Sequence, residues 1–599
     1  MSVRVEGERQ SGAASWPARH AGLLTASVVA LLVLSPALWR PGFLLHYDMV
    51  FVPDLPLSAG TLGMDGGVPR AVPNDTVVAL LDLVLPGWIT QRLVLVGAFF
   101  AIGAGLDRWR RGVVTTVVAT VAATWSPWMA ERLAIGHWGY LWGYAALVWA
   151  VVGALEVRAA RSDGDGTCHH RAVTSIAVGL GMSALSGSTG AVLVAIALVV
   201  LLLAPGPGRP RAGSTAVGAA AWLLLNAAWW FPFLTSSSSS AADATGVRAF
   251  AAGADTPLGV LGSLLGGGGI WHEPSWFPER HAVVFAFLAA ALVVVGFVTL
   301  LRHLPALRWG IGALGILALV LSSLGSLAVT APLLVWFVET VPGGGLLRDG
   351  QKFVALLVVP AALGWGVLAA RVVSRARGTA LAPVALVTAA VLPVVLLPGL
   401  AFARGGQWIS SSYPNEYGAV AQRLSASSDA AAVLPWRLYR QYGWNGDITV
   451  LDPWQRLSSS PVLVNDDLPL RDSTVRGESA AADRVSRALA SGDAAQVKAA
   501  LSRAGVRYVV VEKSQPGADD DIRTLNPIGS VVHSGRDLTL YDIGRPSGHD
   551  GPQSLGNAPW WGATGLALAG VTLAAGTAWL VRRRQFERGA EGHASGTRQ

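Results

Sequence analysis

Long apolar runs, separated by short charged loops, constrain this sequence more than any other feature. A helix that crosses a bilayer needs about 20 apolar residues, and only 14% of this chain is charged, against roughly 25% in soluble proteins. The sequence therefore predicts a polytopic α-helical membrane protein with about 12 transmembrane helices. The runs lie at 21–39, 88–106, 112–126, 140–155, 172–187, 190–204, 213–234, 281–301, 309–330, 353–371, 379–403 and 559–581. The two runs within 172–204 form either two spans or one re-entrant hairpin.

The basic residues predict how the chain is threaded. If every run crosses the membrane, the loops that carry the arginine clusters all fall on the same face as the N-terminus. The positive-inside rule makes that face cytoplasmic. We therefore expect a cytoplasmic N-terminal tail at 1–20 and a basic cytoplasmic tail at 582–599. The clusters lie at 108–111, 158–171, 209–211, 302–308, 371–377 and 582–584.

The composition restricts the source of the chain and its partners. Nearly all basic residues are arginine, and alanine, glycine and valine are abundant, as in the GC-rich genomes of actinobacteria-like organisms. The arginines stand at the ends of apolar runs, so the net charge of +8 does not indicate a nucleic-acid partner. The single cysteine, Cys168, excludes an internal disulfide. We expect a multi-pass protein of a bacterial plasma membrane.

A long segment near the C-terminus has the pattern of a separate folded unit. Its charge density rises, and β-branched runs such as 507–513 alternate with amphipathic stretches such as 478–505. This pattern predicts a small extracytoplasmic α/β domain. The predicted parts are a transmembrane domain of about 11 helices at 21–403 with outer loops at 40–87 and 235–280, the α/β domain at 404–558, and a last transmembrane helix at 559–581.

The first outer loop carries the acidic residues with the clearest chemical use. Asp48 and Asp54 lie in an aromatic and proline-rich stretch, HYDMVFVPDLPL at 46–57. A carboxylate at a membrane surface suits a general base for a hydroxyl acceptor, or an oxygen ligand for a divalent cation such as Mg²⁺ or Mn²⁺. The alternative is a solvated acidic loop. We take Asp48 and Asp54 as candidate catalytic residues, and Asp48 also as a candidate metal ligand.

Two aromatic segments on the predicted outer face place histidine and glutamate beside tryptophan. SPWMAERLAIGHWGYLWG at 126–143 contains Glu131 and His137, and GIWHEPSWFPER at 269–280 contains His272 and Glu273. Aromatic surfaces beside carboxylates suit sugar binding, so these four side chains are candidate substrate-binding residues. The simpler interpretation is a belt of interfacial tryptophans with hydrogen-bonded histidines among them.

Two cations precede the run at 353–371. Arg348 and Lys352 lie in GGGLLRDGQKF at 343–353, on the face that the positive-inside rule normally keeps poor in cations. Cations there suit the phosphate or diphosphate of a lipid carrier, and they are further candidate substrate-binding residues. The alternative is a pair of side chains that snorkel and anchor a helix end.

Several of these features occur together in one known superfamily. They are Asp48 in the first outer loop, the strings ERLAIGHWGY and LLRDGQKF, and the late module AGVRYVVVEK followed by SGRDLTLYDIG. This layout resembles the GT-C superfamily of glycosyltransferases, and within it the YfhO-like bacterial membrane proteins. The resemblance implies sugar transfer from a polyprenyl-phosphate donor, with Asp48 as base or ligand and Arg348 with Lys352 at the phosphate. Met49 follows Asp48 where a second acid would strengthen the case for a metal.

The sequence therefore favours a membrane glycosyltransferase that acts on a cell-envelope glycan, lipid or protein outside the membrane. One alternative is a flippase or exporter of lipid-linked glycans. Another is a non-catalytic scaffold for envelope assembly. An ion-coupled transporter is disfavoured, because the apolar runs have no clear charged residue near their centres.

Overall fold

The computed structural model describes residues 15–64, 71–235, 244–341, 343–469, 474–477 and 479–546. The predicted last transmembrane helix at 559–581, the basic tail at 582–599 and most of the N-terminal tail at 1–20 lie outside these residues.

All eleven apolar runs between residues 21 and 403 fall on helices, either one helix or two in succession. The long helices are Ala21–Leu34, Gly87–Asp107, Val113–Thr124, Pro127–Ile135, Trp138–Asp163, Gly166–Leu185, Ser188–Leu203, Ala212–Leu225, Ala227–Thr235, Val283–His303, Arg308–Ser323, Ala331–Thr340, Ala355–Arg375 and Leu381–Leu396. Shorter helices lie at Trp16–Arg19, Asn74–Asp82, Ala244–Ala249, Gly259–Leu265 and Ala401–Gly405.

Six helical segments of the described chain are long and apolar enough to cross a membrane. They are Gly87–Asp107, Val113–Ile135, Trp138–Asp163, Val283–His303, Pro305–Ser323 and Gly350–Arg375. Two further helix pairs bend by 66° and 73° and bring the number to eight if each pair is one span. A polytopic membrane protein is thereby confirmed. The number of twelve spans and the position of the termini stay predictions.

A mixed five-stranded sheet follows the last described membrane helix. Its central strand, Val506–Glu512, runs parallel to Ala430–Leu434 and antiparallel to Leu538–Asp542. In order across the sheet the strands are Ser530–Ser534, Leu538–Asp542, Val506–Glu512, Ala430–Leu434 and Val462–Leu463. The helices of this part are Asn415–Ser425, Trp454–Leu457, Ala480–Ser491, Ala494–Arg503 and Ala518–Leu525. We call residues 410–546 the α/β domain; the domain bounds of 404 and 558 stay a prediction.

A short two-stranded ribbon in the α/β domain is central to the site. Its strands are Tyr439–Gln441 and Thr449–Leu451, which pair antiparallel; we call residues 439–451 the hairpin. Two other small ribbons pair Phe43–Leu44 with Ser410–Ser411 and Leu468–Pro469 with Thr474–Val475. The first of these joins the loop after the first helix directly to the α/β domain.

Further contacts fasten the same two parts together. The Tyr413 hydroxyl donates to the carbonyl of Phe51 at 3.0 Å, and the amide of Asn445 donates to the carbonyl of Leu45 at 3.1 Å. The first outer loop and the α/β domain therefore meet over a continuous interface, and the candidate site lies at that interface.

Candidate functional site

Asp48 is presented by a tight turn at residues 46–49. The backbone N–H of Met49 donates to the carbonyl of His46 at 2.8 Å, and Tyr47 has a φ of +44°. A non-glycine residue in this left-handed region costs about 1–3 kcal/mol and persists where the surroundings hold it. The hairpin does so here: the Tyr47 N–H donates to Thr449 at 2.6 Å, and the Leu451 N–H donates to the Tyr47 carbonyl at 2.8 Å.

The end of the helix Pro127–Ile135 fixes the other side of the turn. The Asp48 N–H donates to the carbonyl of Ile135 at 2.9 Å. Gly136 follows with a φ of +92°, and a Cβ there would lie 2.1 Å from the Met49 nitrogen. Only glycine fits this close approach. His137 comes next in the chain and is thereby brought beside Asp48.

Two donors occupy the Asp48 carboxylate. Nε2 of His137 lies 2.9 Å from Oδ2, and the hydroxyl of Tyr439 on the hairpin donates to Oδ1 at 2.6 Å. The Asp48 side chain keeps 30% of its surface exposed. The carboxylate is therefore oriented on two sides and still accessible on a third.

A buried arginine orients His137 in turn. Arg132 makes a bidentate pair with Asp349, at 2.7 and 2.9 Å, and its Nε donates to Gln351 at 2.9 Å. Its Nη1 also lies 2.9 Å from Nδ1 of His137. A guanidinium can only donate, so Nδ1 accepts and the ring proton sits on Nε2, where it is donated to Asp48. A continuous chain of hydrogen bonds thus joins Asp349 to Tyr439.

The electrostatics keep Asp48 ionised. Burial by itself raises the pKa of Asp48, but the hydrogen bonds from His137 and Tyr439 hold the pKa below its ordinary value. The carboxylate is therefore charged at neutral pH and can accept a proton. His272 lies nearby, with its ring 4.5 Å from that of Tyr47. Burial lowers the pKa of His272 to about 4, so this imidazole is neutral.

Lys352 is buried beside the same network. Its side chain is 4% exposed, and no side chain or carbonyl among the described residues accepts a hydrogen bond from its ammonium group. Its backbone carbonyl accepts from the indole of Trp128 at 3.2 Å, and its charged neighbours are Asp349, Arg132 and Arg348. Arg348 stacks over Phe250 at 5.0 Å. The predicted cation pair therefore lies next to the Arg132–Asp349 ion pair.

Glu131, a candidate substrate-binding residue, lies in the interior of the protein. It is fully buried, and its two oxygens accept from the N–H groups of Gly269 and Ile270, at 3.2 and 3.0 Å, and from Gln351 at 3.2 Å. A Cβ on Gly268 would lie 2.5 Å from Oε1 of Glu131. Glu131 thus holds the glycine loop at 266–269 in place rather than facing a ligand.

The remaining candidates lie at the surface, and two tryptophans do not. Asp54 and Glu273 are exposed. Trp125 and Trp128 are buried within the protein, and their indole N–H groups donate to the carbonyls of Leu397 and Lys352. The aromatic segment around His137 is therefore part of the core.

Three residues of the site escaped the sequence analysis. Arg132 and Asp349 each stand next to a predicted residue, and charge alone could have marked them as a buried pair. Tyr439 carried no signal, because nothing in the sequence relates the hairpin to the first outer loop.

A mostly apolar cleft lies among the membrane helices. It lies between the helices Val113–Thr124, Val283–His303, Ala355–Arg375 and Leu381–Leu396. Arg280 lies at its polar end, paired with Asp255 in a buried ion pair. Pro127 also lines the cleft, and the adjacent Trp128 contacts Lys352.

Comparison with known proteins finds likeness to one kind of enzyme. Residues 271–522 match the family model described as alpha-(1->3)-arabinofuranosyltransferase, N-terminal GT-C domain. The solved structure of arabinofuranosyltransferase AftD from Mycobacteria matches with a TM-score of 0.57 at 18% identity, over 89% of this chain and 40% of that one. A mutant form of AftD matches with a TM-score of 0.53 at 17% identity, over 90% and 42%. No curated protein matches this chain.

These findings establish the fold of the chain. The family model agrees with the predicted resemblance to the GT-C superfamily over residues 271–522, the solved structures show a likeness of fold, and the likeness to YfhO-like proteins stays a prediction. The chain spans about two fifths of the length of the AftD chains that it matches.

Proposed function

We propose that this protein is a membrane glycosyltransferase that moves a sugar from a polyprenyl-phosphate donor to a hydroxyl of a cell-envelope acceptor on the extracytoplasmic face. The observation that carries the proposal is the ionised Asp48 carboxylate, which His137 orients at 2.9 Å. The matched family model and the AftD structures make an arabinofuranosyl unit the first sugar to test.

Asp48 acts as the general base in this proposal. It takes the proton of the acceptor hydroxyl while the hydroxyl oxygen forms a bond to the anomeric carbon of the sugar. The bond from that carbon to the phosphate oxygen breaks, and its electron pair leaves with the lipid phosphate. The transfer inverts the anomeric centre. A positioned base contributes typically about 10² to 10⁴-fold to the rate.

Lys352 and Arg348 receive the donor phosphate. Negative charge grows on the phosphate as the sugar leaves, and a fixed cation in a dry site stabilises that charge strongly. Lys352 is suited to this because, among the described residues, its ammonium group lies over the Phe353 ring and donates no hydrogen bond to an acceptor. Arg132 is not available for the same role, since Asp349 and Gln351 already occupy its donors.

The apolar cleft suits the prenyl chain of the donor. Its walls come from four membrane helices and are mostly apolar. A lipid could then lie with its chain in the cleft, its phosphate at Lys352 and its sugar towards Asp48. His272, neutral and next to Tyr47, adds aromatic surface for the sugar ring.

A divalent cation at Asp48 fits this geometry poorly. Both carboxylate oxygens accept hydrogen bonds from protein donors, and the described residues contain no group of three histidine, cysteine or acidic side chains able to hold a metal ion. We therefore derive no step through Mg²⁺ or Mn²⁺. The predicted metal stays a prediction, and a chelator tests it.

The decisive experiment measures transfer by the purified protein. Wild type, Asp48→Asn and Asp54→Asn are incubated with a polyprenyl-phosphate arabinofuranose donor and an arabinofuranosyl acceptor, with and without chelator. We expect Asp48→Asn to lose at least a hundredfold in turnover and the exposed Asp54→Asn to retain it. A loss confined to Asp54→Asn moves the base to that residue. Absence of transfer by wild type with any donor favours the flippase or scaffold.

A further inference from the structure

We propose that Tyr439 is a gate over the base: its hydroxyl occupies the place on Asp48 that an acceptor hydroxyl takes during transfer, and it leaves when the acceptor arrives. The inference rests on the proposed function. It assigns a regulatory role to the α/β domain, since Tyr439 belongs to the hairpin and not to the membrane helices.

The two donors on Asp48 are not equivalent. His137 is fixed from behind by Arg132, at 2.9 Å, so its N–H cannot turn away without breaking a buried network. The Tyr439 hydroxyl lies 2.6 Å from the other carboxylate oxygen, Oδ1, and the Tyr439 side chain is half-buried. A hydroxyl–carboxylate contact of this length is the contact that an acceptor hydroxyl makes with its base before it loses the proton. Tyr439 is therefore the donor that the acceptor replaces.

The backbone of the hairpin is held in place next to Tyr439. Arg440, the next residue, is 1% exposed, pairs with Asp452 and lies 3.1 Å from Glu512. Side chains alternate along a strand, so this anchor fixes the backbone while Tyr439 points the other way, to Asp48. Rotation of a partly exposed side chain is fast compared with turnover.

The strained turn supports the same assignment. Tyr47 keeps its positive φ of +44° because the hairpin strand Thr449–Leu451 clamps it on both sides. The hairpin thus supplies two things at once: the clamp that aims Asp48 and the hydroxyl that covers it. The hairpin therefore keeps the Asp48 carboxylate oriented when no acceptor is bound.

The test compares Tyr439→Phe with wild type and with Tyr541→Phe as a control. Tyr541 lies in the same domain and donates to Asn526 at 2.9 Å, away from Asp48. We expect Tyr439→Phe to lower the acceptor KM about tenfold, because the acceptor no longer competes with a charge-assisted hydrogen bond. We also expect the acid limb of its kcat/KM profile to move to higher pH, because Asp48 loses a donor to its ionised form. Tyr541→Phe should change neither.

A second measurement needs no turnover. Modification of Asp48 by a water-soluble carbodiimide, followed by peptide mass spectrometry of the full chain, should be faster in Tyr439→Phe than in wild type. Tyr439→Leu serves as a second variant if the first does not insert stably. An unchanged or raised acceptor KM, or equal labelling of Asp48, overturns the gate while leaving the glycosyltransferase in place. Absence of transfer by wild type overturns both.

Discussion

Nη1 of Arg132 lies 2.9 Å from Nδ1 of His137, and this contact fixes the ring proton of the histidine on its other nitrogen. Because a guanidinium has no acceptor, His137 must present an N–H to Asp48 rather than a lone pair. A histidine bound in this way cannot be a second base. It is a positioning residue, and its effect on catalysis passes through Asp48.

Removal of the His137 ring should therefore change the pH profile as well as the rate. We expect His137→Ala to reduce kcat roughly tenfold, the value of one charge-assisted hydrogen bond. The pKa of Asp48 rises when this donor is lost, so the base is protonated at a higher pH and the acid limb of kcat/KM moves up. His137→Gln, which keeps an N–H donor, should recover part of both effects.

The control for this experiment is His281→Ala. His281 is exposed at the end of the same outer segment as His272 and should leave rate and profile unchanged. A His137→Ala profile identical to wild type would remove the residue from the site.

Loss of the buried ammonium group should weaken donor binding alone. In Lys352→Ala we expect the KM for the polyprenyl-phosphate sugar to rise about tenfold or more, since one charged hydrogen bond to a phosphate is lost, while the acceptor KM stays constant. Lys352→Arg should restore part of the affinity. Lys498→Ala, at an exposed lysine of the α/β domain, is the matched control. An unchanged donor KM would make Lys352 a helix anchor.

A substitution of Glu131 distinguishes a structural role in holding the glycine loop from a role in binding substrate. The Glu131 carboxylate offers two acceptor oxygens to the surrounding donors, whereas an amide offers only one. Glu131→Gln should therefore lower the free energy of unfolding by about 1–3 kcal/mol, because buried groups are left unpaired. We expect a lower midpoint of thermal unfolding in detergent and an unchanged KM for both substrates in the protein that remains folded. A changed KM at constant thermal midpoint would return Glu131 to the substrate-binding residues.

The predicted sidedness can be measured by cysteine labelling in intact cells. In a Cys168→Ser background, Ser240→Cys and Ala480→Cys should react with an impermeant thiol reagent, whereas Ala590→Cys should not, because six basic clusters fall on its side of the membrane. The reverse pattern would invert the topology and place the Asp48 site in the cytoplasm.

The membrane helices were predictable because lipid imposes a simple condition. Every backbone group within the bilayer needs a partner inside its own segment, so an apolar run such as 353–371 becomes a helix whatever its neighbours are. The apolar pattern does not show where a helix is interrupted. The predicted run 112–126 ends at Ser126, but the chain continues as a second helix, Pro127–Ile135, which ends at the Gly136 turn beside Asp48.

The candidate site was predictable one segment at a time, but its pairings were not. Asp48 and His137 were each chosen from their own loop, and the structure joins them. Glu131 and Arg132 are neighbours on the short helix Pro127–Ile135. The rotation of that helix about its axis determines which of the two faces the site, and this rotation cannot be predicted from a single sequence. In the structure Arg132 pairs with Asp349, 217 residues away, and Glu131 accepts a hydrogen bond from the glycine loop.

The contact between Asp48 and Tyr439 joins residues 391 positions apart. At a synthesis rate of ~5–20 residues per second, the loop with Asp48 leaves the ribosome about 20 to 80 seconds before its hairpin exists. During that interval the membrane helices can insert, but the turn at 46–49 lacks the strand that clamps it. The clamp on the Asp48 turn therefore forms only after the hairpin has been synthesised, and a shorter nascent chain carries the base without the means to aim it.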